Sequence, residues 1–238
     1  RREERLQDQS LYTTLVTSPN EWMFEIERYR LLLNTLGIPP DAESLKPVYW
    51  IRDEERVWAD KYIANTFPNK QFAVLSPGGG FDAKLWSNES FAAVADWLIE
   101  KYRMNVVITG SANDKPLAQE IQKLSKQTLY DITGESSLNQ FAALVGCASL
   151  FVGIDTAGFH FAWTSGIPAV GIFGGGHFGR FTPSVPHARI VHVPMDCYRC
   201  YWHCIYDEIK CITAITPEMV RTEIESVMNV QQGAERKQ

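Results

Sequence analysis

From residue 71 onward, short apolar segments alternate with longer amphipathic ones. The amphipathic segments are 10 to 17 residues long, have helical spacing of their apolar positions, and lie between the short apolar segments. Strands that are apolar on both faces and alternate with helices require a parallel sheet covered on both sides. The sequence therefore predicts an α/β domain, a Rossmann-like parallel sheet with helices on both faces. The predicted strands are QFAVLSP (71–77), NVVITGS (105–111), a weaker LYDITG (129–134), LFVGID (150–155), AVGIFGG (169–175) and ARIVHV (188–193).

The part of the chain before this alternation is irregular and helix-leaning. It contains one clear amphipathic segment, residues 21–38, which ends near Gly37 and Pro39. We interpret this segment as a connecting or docking helix. The chain also opens on charged residues without a methionine, so we expect a longer parent protein.

Charge and composition exclude two classes of protein. A net charge of −5 over 238 residues argues against a broad basic surface for nucleic acid. No window holds the roughly 18 consecutive apolar residues of a membrane-spanning helix, and the N-terminus RREERLQDQS lacks the apolar core of a signal peptide. We therefore expect a cytoplasmic protein with no transmembrane segment and no nucleic acid partner.

A glycine-rich loop follows the first predicted strand, at the edge of the sheet where ligands bind in such folds. In SPGGGFDAKLW, the residues Gly78, Gly79 and Gly80 allow close approach of a ligand, and the backbone N–H groups can hold an anion. Lys84 follows as a mobile positive charge suited to phosphate. The alternative is a flexible turn with a solvated lysine.

Polar residues also follow the fourth predicted strand, which ends at Asp155. The N–H groups of Ala157 and Gly158, at the start of the next helix, point toward the Asp155 side chain or toward an anion. Thr156 and His160 share one face of that helix. The alternative makes Asp155 a helix cap and His160 a half-buried structural histidine.

These two loops lie at the same edge of one sheet, so we expect them to face one crevice. A glycine loop, a lysine, a carboxylate and a helix N-terminus together suit a ligand with both phosphate and hydroxyl groups, such as a sugar nucleotide. We include Asp114 and Ser136 in this candidate site, although helix capping explains Asp114 without a ligand. The loop after the fifth strand, GGGHFGRFTP, adds His177 and Arg180, where Arg180 suits a phosphate, another domain or solvent.

The motifs PGGGFDAKLW and GIDTAGFHFAWTSGIPAVGIFG resemble the C-terminal half of family 9 glycosyltransferases, the heptosyltransferase-like enzymes of bacterial cell-surface assembly. The similarity runs from about residue 71 to 230. It implies a GT-B architecture, in which two Rossmann-like domains face each other and the C-terminal one binds the nucleotide sugar. It also implies that Lys84 contacts phosphate, that Asp155 and His160 contact the donor, and that the helix start at 156–158 supports the diphosphate.

The resemblance further implies inverting transfer of a sugar from a nucleoside diphosphate donor, such as ADP-heptose, to a hydroxyl of a glycan or protein acceptor. The expected process is lipopolysaccharide or glycoprotein assembly, in the cytoplasm or peripheral to the inner membrane. This chain departs from the family at Ala157, where glycine is frequent, and at Asp114, near which glutamate is frequent. No catalytic residue can be assigned.

The resemblance also implies a first Rossmann domain with the acceptor site and the catalytic base, and we expect this domain to be missing before residue 71. We therefore predict a helical bridging segment at 1–66, which follows a missing N-terminal domain, and a nucleotide-sugar-binding domain at 67–238. The chain would then be an incomplete enzyme. The alternatives are a non-catalytic sugar-nucleotide-binding or scaffold module, and a sugar-nucleotide epimerase of the same architecture.

Four of the five cysteines fall within the segment 197–211, CYRCYWHCIYDEIKC. Cys197, Cys200, Cys204 and Cys211 could form a four-sulfur shell for a structural zinc or iron, with His203 as a substitute ligand, and we expect no catalytic metal. Reduced thiols or a disulfide are the alternatives. Some relatives that resemble adhesin heptosyltransferases hold iron through a cysteine finger in this region. Cys147 is predicted to be a small core residue.

Overall fold

A computed structural model describes residues 13–41, 45–67, 69 and 71–235, with only the backbone for 231–235. The remaining residues, which include the first twelve of the predicted bridging segment, lie outside the described part. The chain forms two compact units. The smaller unit extends to Lys46 and includes Gly179–Thr182; the larger unit contains Pro47–Phe178 and the chain from Pro183 onward.

The larger unit is built on a six-stranded, fully parallel sheet, which confirms the predicted Rossmann-like α/β fold. The strand order is β3-β2-β1-β4-β5-β6. In register, Val74 of β1 pairs with Val107 of β2 on one side and with Phe151 of β4 on the other. The strands are β1 (Phe72–Ser76), β2 (Asn105–Ile108), β3 (Tyr130–Asp131), β4 (Leu150–Ile154), β5 (Ala169–Ile172) and β6 (Ala188–Val191).

The smaller unit contains helix α1 (Glu25–Thr35). The helices of the larger unit cover both faces of the sheet and are α2 (Asp53–Thr66), α3 (Asn88–Tyr102), α4 (Lys115–Leu124), α5 (Leu138–Gly146), α6 (Ala157–Thr164), α7 (Lys210–Thr213) and α8 (Pro217–Glu235). Short 3₁₀ turns at Asp82–Lys84 and Ala112–Asp114 precede α3 and α4. None of the helices in the described residues is long and apolar enough to cross a membrane.

Alternation along β1 divides the core into two layers. Ala73 and Leu75 pack with apolar residues of α3, α4 and α8 on one face. Phe72 and Val74 pack with residues of α2, α5 and α6 on the other. Because successive side chains of a strand point to opposite faces, a strand that is apolar throughout buries both of its faces.

Helix α2 packs with the sheet, although the sequence indicated only a helix-leaning region there. Its Glu55 is 4% exposed and binds Arg52 and Asn139 of α5, which lowers the pKa of the Glu55 carboxyl. The compact units thus place residues 47–66 with the sheet. The predicted division at residue 66, as a boundary between functional domains, stays a prediction.

The amphipathic segment of the smaller unit forms α1, shorter than the predicted 21–38. Its Glu25 carboxylate lies 2.6 Å from Nε of Arg180, and this guanidinium lowers the pKa of Glu25. Arg180 therefore pairs with a carboxylate of its own unit, a partner that none of the three interpretations of the sequence named.

Candidate ligand-binding site

A cavity of about 430 Å³ lies at the carboxyl edge of the sheet, where the loops leave the strands and enter helices. Its size falls within the usual range of small-molecule sites. Of the eleven residues predicted for the site, the larger group lines this cavity: Gly78, Gly79, Gly80, Asp114, Ser136, Thr156, Ala157 and Gly158. The other three, Lys84, Asp155 and His160, form a polar cluster of their own. Their roles in binding stay predictions.

Gly78, Gly79 and Gly80, the first glycine loop, form one wall of the cavity. A Cβ on Gly78 would lie 2.1 Å from Oδ1 of Asp114, and one on Gly79 would lie 3.0 Å from the methyl group of Thr156. A Cβ on Gly80 would meet nothing within 4 Å. This loop is therefore packed against the cavity's polar side chains at its start and open at its end.

Asp114 caps a helix, as the sequence indicated, and also lines the cavity. Its Oδ2 accepts hydrogen bonds from the backbone N and the hydroxyl of Ser111, each at 2.7 Å, so it caps the turn that begins α4. The same carboxylate lies against Gly78 and Gly110 and lines the cavity. Capping holds the carboxylate at the cavity wall.

Lys84 and Asp155 form an ion pair across the two strand ends. Nζ of Lys84 donates to Oδ2 of Asp155 at 2.8 Å and to the backbone carbonyl of Asp155 at 3.0 Å. Asp155 is only 9% exposed, so its charge requires this partner. The neighbouring Thr156 lines the cavity, and the pair thus stands beside it.

His160 completes the cluster from the next turn of α6. Its Nε2 lies 3.9 Å from Oδ1 of Asp155, and its Nδ1 accepts a hydrogen bond from Nε1 of Trp163 at 3.1 Å. Burial lowers the pKa of His160; the nearby Asp155 carboxylate raises it and Lys84 lowers it. The ring is therefore neutral at pH 7, with its proton on Nε2, the nitrogen that faces Asp155.

The N-terminus of α6 opens on the cavity. Ala157 and Gly158 line it, and the hydroxyl of Thr156 donates to the carbonyl of Ile154 instead of capping the helix. Unpaired N–H groups in a first helical turn favour an anion. A Cβ on Gly158 would lie 2.9 Å from the rings of Phe141 and Phe151, so glycine is required for the helix to pack this closely.

The second run of three glycines, Gly174–Gly176, has a different environment, which the sequence did not indicate. A Cβ on Gly176 would lie 2.3 Å from the indole of Trp202, and one on Gly175 would lie 2.4 Å from the ring of Tyr198. The indole of Trp202 also lies 5.5 Å from Nζ of Lys84. The sequence signal that could have suggested this packing is the presence of Tyr198 and Trp202 in the cysteine-rich segment, residues 197–211. Glycines have no side chain, so aromatic rings can lie on their backbone.

The predicted metal shell of Cys197, Cys200, Cys204 and Cys211 stays a prediction. All five are free thiols, with Cys211 buried and accepting a hydrogen bond from the N–H of Gly175 at 3.3 Å. Within the described parts of the chain, no group of three or more His, Cys, Asp or Glu side chains is placed to hold a metal ion. Cys147 is exposed, not a core residue as predicted, because it stands just past the end of α5.

Comparison with known proteins gives consistent matches. The model of glycosyltransferase family 9 (heptosyltransferase) matches residues 1–209. Lipopolysaccharide heptosyltransferase 2 of Escherichia coli is 28% identical over 188 residues, which cover 75% of this chain and 53% of that protein. The chain therefore spans about half the length of this curated relative.

Solved structures share the fold. A family 9 glycosyltransferase of Veillonella parvula superimposes with a TM-score of 0.77 at 20% identity, covering 94% of this chain and 65% of that one. A dodecameric iron-containing heptosyltransferase, TibC, in complex with ADP-D-β-D-heptose, gives a TM-score of 0.51 at 19% identity, with 67% of this chain and 45% of that chain covered. The GT-B type of domain implied by the sequence motifs is thereby confirmed. The family match over most of its length shows that this chain belongs to glycosyltransferase family 9.

Proposed function

We propose that this chain is the donor-binding part of an inverting glycosyltransferase that takes a sugar from a nucleoside diphosphate and transfers it to an acceptor hydroxyl. The process would be assembly of a bacterial surface glycan, as the name of the lipopolysaccharide heptosyltransferase relative suggests. The observation that carries the proposal is the ion pair of Lys84 and Asp155 beside a cavity walled by glycines and a helix N-terminus.

Each part of the site suits one part of such a donor. The open first turn of α6 and the ammonium group of Lys84 offer positive potential to a diphosphate. The same groups stabilise the charge that develops on the departing nucleoside diphosphate during transfer. The carboxylates of Asp114 and Asp155 can accept hydrogen bonds from hydroxyl groups of the ribose or the transferred sugar.

ADP-heptose is the donor we propose, because the TibC complex contains that nucleotide sugar. The acceptor site and the general base are assigned to the portion of the full-length relatives that this chain does not span, since the chain matches 53% of the heptosyltransferase 2 length. None of the described residues is proposed as the base. The non-catalytic alternative predicts the same donor binding without transfer.

Calorimetric titration with ADP-heptose, UDP-glucose and GDP-mannose tests this proposal. We expect saturable binding of one donor, weakened by Lys84→Ala and by Asp155→Ala by about 1.5 to 3 kcal/mol each, the scale of a hydrogen bond to a charged group. Lys101→Ala is the matched control, because Lys101 pairs with Glu225 on α8, on residues that do not line the cavity. Equal weakening by the control, or binding indifferent to both site variants, would refute the assignment.

We further propose that the cysteine-rich segment, residues 197–211, holds a structural zinc or iron. Four thiols of this kind suit either metal. Burial is the main cause that raises the pKa of the Cys211 thiol, and proximity to the other three thiols adds to it, which supports a common neighbourhood. Metal analysis of the purified chain should find about one equivalent, reduced by Cys200→Ser and retained by Cys147→Ser. A metal-free wild-type chain that is fully folded would contradict this.

A further inference from the structure

We propose that Trp202 is a positioning residue for Lys84, and that through it the cysteine-rich segment controls how tightly the site binds a diphosphate. This inference rests on the proposed function. It concerns a residue outside the cavity lining that contacts the cationic side chain of the site instead of a ligand.

Lys84 is held by two kinds of contact. Its Nζ donates to two oxygens of Asp155, and the indole ring of Trp202 lies 5.5 Å from it. An ammonium group over an indole face gains a cation–π attraction. The Lys84 side chain is only 21% exposed. A lysine side chain has a flexible four-carbon stem, so ordering it before the ligand arrives reduces the entropy that binding must overcome.

Trp202 is itself held in place from three sides. Its Nε1 donates to Nδ1 of His177 at 3.2 Å, and the ring of Phe81 meets its indole edge-on at 5.8 Å between centroids. The second glycine loop, Gly174–Gly176, forms the third side. A Cβ on Gly174 would lie 2.7 Å from the indole and one on Gly176 would lie 2.3 Å from it. The absence of these Cβ atoms lets the indole lie on the backbone.

The backbone around Trp202 adopts a conformation that is strained for non-glycine residues. Arg199, Tyr201 and Trp202 have φ angles of 71°, 52° and 65°, in the left-handed region that non-glycine residues rarely adopt. Hydrogen bonds to the second glycine loop hold the segment there, from the N of Arg199 to the carbonyl of Gly175 at 2.7 Å and from the N of Tyr201 to the carbonyl of Gly176 at 3.1 Å. Strain of this kind persists where the surrounding structure determines it, and it is frequent at functional sites.

A purely structural role for Trp202 makes a different prediction. In that case its removal would lower the stability of the chain and would act on ligand binding independently of Lys84. If Trp202 acts by positioning Lys84, the two substitutions must affect the same interaction, so their effects on diphosphate affinity are not additive.

The test measures the affinity for ADP and for adenosine in single and double variants of the 238-residue chain. Trp202→Leu should weaken ADP binding about three- to tenfold, the scale of the entropy lost when one flexible side chain is ordered, and leave adenosine binding unchanged. Trp202→Phe, which keeps an aromatic face and avoids an unfolded variant, should recover part of the loss. In the Lys84→Ala background, Trp202→Leu should cause no further loss.

Trp97→Leu is the matched control. Trp97 lies 5.1 Å from Nζ of Lys101, a similar cation–π pair on α3 among residues that do not line the cavity. This variant should leave ADP affinity unchanged. Additive losses in the Trp202 and Lys84 double variant, or an equal loss for adenosine, would overturn the inference while leaving the proposed donor site intact.

A second measurement does not depend on nucleotide. The rate at which an amine-acylating reagent modifies Lys84, followed by mass spectrometry, should rise in Trp202→Leu and stay unchanged in Trp97→Leu. An unchanged Lys84 rate in Trp202→Leu would overturn the inference on its own. If the wild-type chain binds none of the nucleoside diphosphates, the proposed function fails, and the coupling to diphosphate affinity fails with it, whatever the Lys84 rate.

Discussion

Gly78–Gly80 and Gly174–Gly176 follow β1 and β5 at the same edge of one sheet, and the structure uses them in opposite ways. The first glycine loop forms a wall of the cavity, and its last residue, Gly80, has open space where a Cβ would be. The second glycine loop is covered by the rings of Trp202 and Tyr198. A run of three glycines thus leaves room for a ligand in the first loop and for aromatic side chains in the second.

The difference shows what a glycine run does and does not specify. A missing Cβ lets other atoms approach the backbone closely. Which atoms approach depends on residues that are distant in sequence: those of the cysteine-rich segment reach the second loop, and none of its rings covers Gly80. A glycine run after a parallel strand is therefore a weak sign of a phosphate site until its neighbours are known.

The largest effect is expected from Gly176→Ala. The new Cβ would lie 2.3 Å from the indole of Trp202, so the ring or the loop must move. Overpacking of this kind lowers the free energy of unfolding by about 1 to 3 kcal/mol. Urea denaturation would measure it, and a variant as stable as the wild type would show that the second glycine loop yields easily and that Trp202 is loosely held.

A smaller effect is expected from Gly78→Ala. Its Cβ would collide with the carboxylate of Asp114, which can rotate away but then loses its hydrogen bonds to Ser111. Loss of a cap costs about 1 kcal/mol. Asp114→Ala should give a similar loss in urea denaturation, and the double variant should be no worse than either single one. Additive losses would show that Gly78 acts by another contact.

Gly80→Ala should raise the free energy of unfolding by about 0.4 to 1 kcal/mol, because alanine restricts the conformations of the unfolded chain. Its φ is not in the left-handed region and its Cβ would meet nothing within 4 Å, so alanine fits without strain. The same denaturation experiment provides the direct comparison with Gly176→Ala. A loss as large as that of Gly176→Ala would remove the distinction between the two loops.

The smallest effect expected is on the pH dependence of stability. It compares His160, near the cavity, with His192, near Tyr198. Burial lowers the pKa of both below the ordinary value of 6.5. Below about pH 6.5 the unfolded chain therefore binds more protons than the folded one, so stability falls as pH drops through 6.5 and levels off below the folded pKa.

Substitution of either histidine by asparagine should reduce the loss of unfolding free energy between about pH 7.5 and pH 5. Urea denaturation at a series of pH values would measure this. His203→Asn is the control, since His203 is exposed. An equal effect of the control would show that charge in general, and not burial of these two rings, sets the pH dependence.

The convergence of the polar cluster was predictable from the sequence. Lys84 follows β1 and Asp155 follows β4, and because parallel strands end at the same edge, the two were expected to lie close together. The two interpretations of Asp114 could not be separated, since capping and cavity lining depend on the same carboxylate. Cys147 was predicted in the core because its helical pattern continues past Gly146, where the helix in fact ends.

The backbone conformation around Trp202 had no signal in the sequence. Three non-glycine residues adopt left-handed backbone angles around it, and no local preference of Arg, Tyr or Trp predicts that conformation. Helix α2 likewise showed weak periodicity, and it contacts α5 through a hydrogen bond from Asn139 to Glu55, which lie 84 positions apart.

The sequence by itself determined the parallel sheet and the edge at which the site lies, because apolar periodicity and strand ends are local properties. Only the tertiary structure decided which glycine loop stays open and which is covered by aromatic rings. It also decided that the indole of Trp202 contacts Lys84. These depend on packing between segments more than a hundred residues apart, as between Lys84 and Trp202, and such packing follows from the whole fold.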